Sequence, residues 1–329
     1  ACARLTPRGA NEISAAELNE VLDFAGKQLL RSAEEIGSAG RFPRFTGPGG
    51  AWATVDSHQW SSGFFAGCLW LLWEHSGDER FRRCAEKWTA GMEKEKYNRE
   101  NHNNGFMMFT SFGNAYRLTK KEEYRETLIE SARSLASLYD PKLGLIKAMD
   151  GGLKWKYPVL VDTMVNLELL FWAARGGGDP AWRALAETHA LRTAHDHVRA
   201  DGSTCQLIDY DPATGDILKY DILCGLSGQS AWARGQGQAI YGFAVAYRET
   251  GNRVFLGAAR RLADYFISQL PPDKVPYWDF RDPGIPNVIR DTSAASVAAC
   301  GLLELSAQAE VSIEQERFRT AAIEIVRSL

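Results

Sequence analysis

Helical periodicity comes in two kinds along this chain, and their alternation constrains the fold more than any other feature. In the first kind, apolar residues recur three and four apart on a charged background. Asp78 to Met92 sets Phe81, Cys84, Trp88 and Met92 on one stripe, with Glu79, Arg82, Arg83, Glu86 and Lys87 elsewhere. Lys121–Tyr139 and Asn252–Leu270 repeat the pattern, and the segments near Ala15–Ile36, Pro180–Val198 and Ser312–Leu329 share it. Each predicts a helix with one buried face. The second kind is apolar or small on nearly every side: Ser61–Glu74, Gly105–Leu118, Asp162–Arg175, Ser230–Glu249 and Thr292–Ser306. A helix without a polar face must be surrounded by protein.

The joins between them are asymmetric. From an apolar helix to the next amphipathic one the link is short and carries Gly before Asp or Asn: SGD at Ser76–Asp78, GGGDP at Gly176–Pro180, GN at Gly251–Asn252. That order is a helix C-cap running into an N-cap, and it predicts antiparallel pairs. The reverse links are long: 93–104, 140–161, 199–229 and 271–291. The third holds STCQLIDYDPATGDILKYDIL, which reads as a β-hairpin turning at PATG. Long links on one side of a helical scaffold are where sites are usually built. Five enclosed segments alternating with six amphipathic ones predict an all-α, six-hairpin (α/α)6 toroid, a single domain over 1–329. A full ring needs one more inner helix after Leu329, so the expectation is a domain whose C-terminal segment, with the last inner helix, is cut off, or else one whose last pair is incomplete by nature, the former being favoured.

Composition excludes several classes of function. The net charge of −3 leaves no basic footprint for nucleic acid, and no apolar run approaches the roughly 18 residues that span a membrane. The six cysteines form no C-x-x-C pair, which argues against a disulfide framework and a structural zinc site. Cys68 and Cys300 sit in apolar helical runs and read as small buried hydrophobes. Cys2, in a chain that opens ACAR, is compatible with an N-terminal lipid anchor and a periplasmic or membrane-tethered location, and equally with a cloning scar; the unpaired thiols fit a cytoplasmic location.

Inner helices of a toroid run parallel, so the starting ends of the five enclosed segments are expected to meet at one mouth. Those ends carry Trp60, His102, Asn103, Asp162, Trp232, Arg234, Gln236 and Arg290. Each has a bland reading. Asp162, Ser61, Asn104 and Asp291 stand where an N-cap is wanted, the tryptophans fill a core, and His102 is a buried histidine. Arg234 in an apolar helix needs an anionic partner, either an internal carboxylate or a substrate carboxylate or sulfate.

The runs YPVLVDTMVNLELL, QSAWARGQGQAIYGFA, PYWDFRDPGIPNVIRDTSAA and HNNGFM resemble the unsaturated glucuronyl hydrolases, glycoside hydrolase family 88, from about Trp60 onward. The resemblance implies a six-hairpin α/α toroid. It also implies release of a 4,5-unsaturated uronic acid from the non-reducing end of oligosaccharides made by polysaccharide lyases, without metal or cofactor. A single acid protonates C4 of the vinyl ether, water adds at C5, and the hemiketal collapses with loss of the aglycone. The match puts Asp162 in the acid/base role, with Asn103 orienting the ring. The substrate-binding set is expected to be Trp60, His102, Asn166, Gln206, Trp232, Arg234, Gln236, Trp278, Arg290 and Ser293. Burial of Asp162 should raise its pKa while the helix N-terminus pulls the other way.

Four positions depart from the family pattern. Asn103 stands where the H-D-x-G-F motif has Asp, Gln206 where His is common, Cys224 where Gln is common, and Gln238 where Trp often stands. Asn103 is read two ways, as an inactivating Asp-to-Asn substitution or as natural divergence. Two other functions fit such a toroid. One is an inverting glycosidase on saturated sugars, needing Asp279 or Asp291 as a second carboxylate about 6.5–9.5 Å from Asp162. The other is a catalytically silent oligosaccharide-binding protein.

Overall fold

The computed structural model describes residues 12–329; Cys2 lies outside them. Chain contacts divide it into two compact units: Asp140–Leu167 with Ala184–Leu329, and Ser14–Tyr139 with Glu168–Arg183.

The second of these holds α1 (Ala15–Ile36), strands β1 (Phe42–Thr46) and β2 (Trp52–Val55), α2 (Ser62–Ser76), α3 (Glu79–Ala90), α4 (Asn104–Met108), α5 (Asn114–Thr119) and α6 (Glu122–Ala136). Ser14 and Glu17 start α1 with a reciprocal capping box. The predicted SGD join behaves as read. Gly77 takes a left-handed φ of 68° at the end of α2, and the Asp78 carboxylate accepts the Arg80 N–H at 2.8 Å to open α3. Gly63 lets α2 lie directly on α4: a Cβ there would sit 2.2 Å from the Met107 carbonyl oxygen.

The 105–118 segment is not one regular helix. A π-turn at Phe109–Gly113 separates α4 from α5. Around it Thr110 and Ser111 donate their hydroxyls back to the Phe106 and Met107 carbonyls, at 2.7 and 2.8 Å. Such back-bonding competes with the helical ladder and accompanies bends.

Short strands β3 (Tyr139–Asp140) and β4 (Leu145–Ile146) precede β5 (Pro158–Leu160), α7 (Thr163–Arg175), α8 (Ala181–Asp196), β6 (Leu207–Tyr210), β7 (Ile217–Asp221), α9 (Ala233–Thr250), α10 (Arg253–Ser268), α11 (Thr292–Gln308) and α12 (Ser312–Ser328). Gly251, at φ 72°, ends α9, and the Asn252 side chain caps α10. α9 packs against α10 and α11, and α11 against α12. Gly242 permits close approach of α9 to the first turn of α7, since a Cβ there would lie 2.4 Å from the Met164 Cβ.

The predicted hairpin is β6–β7, closed by Gly215 N–H to Asp211 O at 2.8 Å. It gains a third strand: β5 pairs antiparallel to β6, with Val159 opposite Ile208 and Leu160 opposite Leu207. Alternation along the strands sends Val159, Ile208 and Tyr210 into one apolar cluster with Leu143 and Leu145. Leu160 and Leu207 go into another with Ala148. β5 and β6 are buried on both faces, while β7 is largely exposed, so the register of β5 on β6, and the position of Asp162 just beyond β5, is fixed by packing.

Two expectations fail at the enclosed helices. Cys68 and Cys300 are exposed, not buried. Cys68 lies on an exposed stripe of α2 with Phe64 and Leu71, and Cys300 on an exposed stripe of α11 with Ser296 and Leu303.

Candidate active site

Asp162 is delivered by strand pairing and helix initiation together. The Val161 N–H donates to the Gln206 carbonyl at 2.9 Å, continuing the β5–β6 ladder, and the Asp162 carbonyl accepts the Val165 N–H at 3.3 Å as α7 begins. Asn166, one turn on and buried, donates its side-chain amide to the same carbonyl at 3.2 Å. Asp162 keeps some residue surface, but its Oδ1 is fully shielded from solvent. Burial pushes the carboxyl from 3.8 up to about 6, against the opposing pull of its own backbone N–H and of the Arg234 guanidinium. An acid poised there exchanges protons readily near neutral pH. Where Asp162 is the general acid, it must start protonated. Its kcat/KM is therefore expected to be flat on the acid side and to fall as pH rises through about 6, read from a pH–rate profile.

Arg234 stands on the first turn of α9. Its Nε lies 3.6 Å from Asp291 Oδ2, and its guanidinium stacks over the Trp232 ring at 4.9 Å. Arg234 therefore has an internal carboxylate within ion-pair range. Asp291 also caps α11 through its side chain as read, accepting the Ala294 N–H at 2.9 Å and the Ser293 hydroxyl at 2.5 Å. Ser61 sits at the N-cap of α2 without a capping bond. Asn104 lies inside α4, donating to the Asn98 and Ser131 carbonyls.

Several predicted ligand residues are committed to protein. The buried Gln236 donates both amide protons to carbonyls, Gly202 at 2.7 Å and Leu262 at 3.1 Å. Arg290 donates to Asp273 at 2.9 Å and stacks on Tyr277 at 4.1 Å. Trp278 donates its indole N–H to Asp282 at 2.7 Å. Gln206 is buried, and its Oε1 accepts the N–H groups of Leu223 and Cys224 at 2.9 and 2.7 Å. Cys224 is near enough for the Asp162 charge to add to burial in raising its thiol pKa.

In the other unit, Trp60 is partly exposed and meets Phe64 edge-on at 6.0 Å, and Phe64 meets Phe106 at 5.0 Å. Asn103 is partly exposed; its N–H donates to the Asn101 side chain at 3.1 Å, and its side chain makes no capping bond to α4. His102 is buried, and burial lowers its pKa to about 3, leaving it neutral.

Asp279, a candidate second carboxylate, is fully buried and fully engaged. It accepts from the Leu226, Ala231 and Arg281 N–H groups at 3.0, 3.2 and 3.0 Å and from the Ser230 hydroxyl at 2.6 Å. This clamp was not visible in the sequence, where Asp279 is one carboxylate among many in a loop. Among the described residues, no three His, Cys, Asp or Glu side chains group to hold a metal, and no helix is long and apolar enough to cross a membrane.

Comparison with known proteins supplies the class. No family model matches the chain. An unsaturated glucuronyl hydrolase of Formosa agariphila is 39% identical over 76% of this chain and 64% of its own length. That of Bacillus sp. strain GL1 is 35% identical over 88% of this chain and 78% of its own. The solved Streptococcus agalactiae unsaturated glucuronyl hydrolase is 31% identical, with a TM-score of 0.89 over 96% of this chain and 81% of that one. A variant of it, complexed with dGlcA-GalNAc6S, is also solved. The match thus spans just under two thirds of the Formosa protein and about four fifths of the other two. The chain belongs to the unsaturated glucuronyl hydrolase family, glycosidases whose fold is the (α/α)6 barrel.

Proposed function

We propose that this chain releases 4,5-unsaturated uronic acid from the non-reducing end of lyase-generated oligosaccharides. The carrying observation is Asp162, a buried carboxyl raised to about 6 at the end of a packed strand. It donates its proton to C4 of the C4=C5 vinyl ether and then takes one from the water that adds to C5. The resulting hemiketal opens, its C5 oxygen becomes a carbonyl, and the aglycone departs from C1 with a proton. Arg234 offsets the charge of Asp162 when the proton leaves, and Trp232 supplies an apolar wall beside it. Asn103 orients the sugar ring and Trp60 stacks on a sugar face. The substrate class is an unsaturated glycosaminoglycan disaccharide, a reading supported by the dGlcA-GalNAc6S held by the streptococcal variant. The saturated-sugar reading is disfavoured because Asp279 and Asp291 are both engaged in capping and clamping.

The test is an unsaturated disaccharide followed by loss of absorbance of its conjugated double bond. The chain and its Asn103→Asp variant are expected to turn it over, the variant faster, because a carboxylate accepts hydrogen bonds from sugar hydroxyls more strongly than an amide. An intact disaccharide left untouched by both proteins would overturn the proposal.

A further inference from the structure

We infer that Gln206 is a positioning residue, a strut that fixes the distance between Asp162 and the turn at Leu223–Cys224, and not a substrate ligand. The inference rests on the reaction proposed above. One residue bonds both to the segment that carries Asp162 and to the turn. Its backbone carbonyl takes the Val161 N–H at 2.9 Å, next to Asp162, and its side-chain Oε1 takes the Leu223 and Cys224 N–H groups at 2.9 and 2.7 Å. Gln206 is itself only 3% exposed and sits directly before β6, whose register is locked by two apolar clusters. The turn it holds is less buried, with Leu223 48% exposed and Cys224 exposed as a residue though its sulfur is partly shielded, so packing holds it less firmly than β6. Between the Ile222 N–H held by Asp221 and the Leu226 N–H held by Asp279, the two hydrogen bonds to Gln206 fix the Leu223–Cys224 segment, and Cys224 is near enough to Asp162 to feel its charge. A side chain of the same length with no acceptor would leave the acid in place and release the Leu223–Cys224 turn.

The experiment compares Gln206→Met, which keeps length and loses the acceptor, with Gln206→Glu, whose carboxylate accepts from both N–H groups. Iodoacetamide labelling of Cys224, read peptide by peptide in the mass spectrometer, reports the turn. Hydrolysis of dGlcA-GalNAc6S reports the site. In the Met variant, labelling and KM are each expected to rise at least roughly tenfold, since two hydrogen bonds are lost and one alone carries about that factor, with kcat little changed. The Glu variant is expected to return both close to the parent values. A folded Met variant with parental labelling and KM would overturn the strut, and so would a fall in kcat at constant KM, which marks contact with the reacting atoms. Should the Met variant not fold, amide exchange in the parent decides. Protection at Leu223 and Cys224 supports the strut, and exchange at free-chain rates overturns it. If the parent itself does not hydrolyse the disaccharide, the reaction fails as read, while labelling still decides the strut.

Discussion

Asp162→Asn protein is expected to lose hydrolysis by roughly 10³-fold, the range general acid–base groups supply, while binding the disaccharide nearly as before. The same substitution should stabilise the fold, and the sign follows from linkage. The folded-state pKa lies above the unfolded value, about 6 against 3.8, so the folded protein holds the proton more tightly. Stability contributed by this group is complete below pH 3.8 and is lost as pH rises through about 6. Two pH units correspond to about 3 kcal/mol. Urea unfolding at pH 8 should therefore show the variant more stable by about 2–3 kcal/mol, with the difference nearly gone at pH 3. A variant no more stable than the parent at pH 8 would mean that the carboxyl is not held in a desolvated place.

Asp279→Ala is expected to be the most destabilising single change near the site. It strips the shared acceptor from three backbone N–H groups and a serine hydroxyl, in the loops before α9 and around Trp278. Leaving buried donors without their acceptor costs about 1–3 kcal/mol each, so a loss of several kcal/mol is expected, readable as a shift in the urea midpoint. At temperatures where the variant remains folded, activity per folded molecule should be largely kept. The inverting-glycosidase reading expects the opposite pattern, loss of turnover in a protein of near-parental stability, because there Asp279 handles the water.

The helices were legible because burial leaves a periodic trace. Ala15–Ile36 is read with the bounds it has, and the Gly–Asp and Gly–Asn joins fall where left-handed glycines end α2 and α9. The π-turn at Phe109–Gly113 escaped because a single wider turn inside a run that is apolar on nearly every side leaves no mark on the apolar pattern. Cys68 and Cys300 escaped for a related reason. Apolar character all round a helix states what surface it would bury, not which stripe is covered among the described residues. At the site, Asp162 was legible through its place between an extended run and an apolar helix. The commitments of Gln206, Gln236, Arg290 and Asp279 were not, because each is made to backbone groups far along the chain. A side chain's type announces its hydrogen-bonding capacity, but only tertiary structure decides where that capacity goes.

The central claim is that Asp162 protonates C4 of an unsaturated sugar, and the position of the transferred proton tests it. Hydrolysis of an unsaturated disaccharide in D2O, with the released sugar read by NMR, should show one deuterium at C4 and no remaining C4=C5 double bond. Release of a uronic acid that keeps the double bond and carries no deuterium would contradict the account.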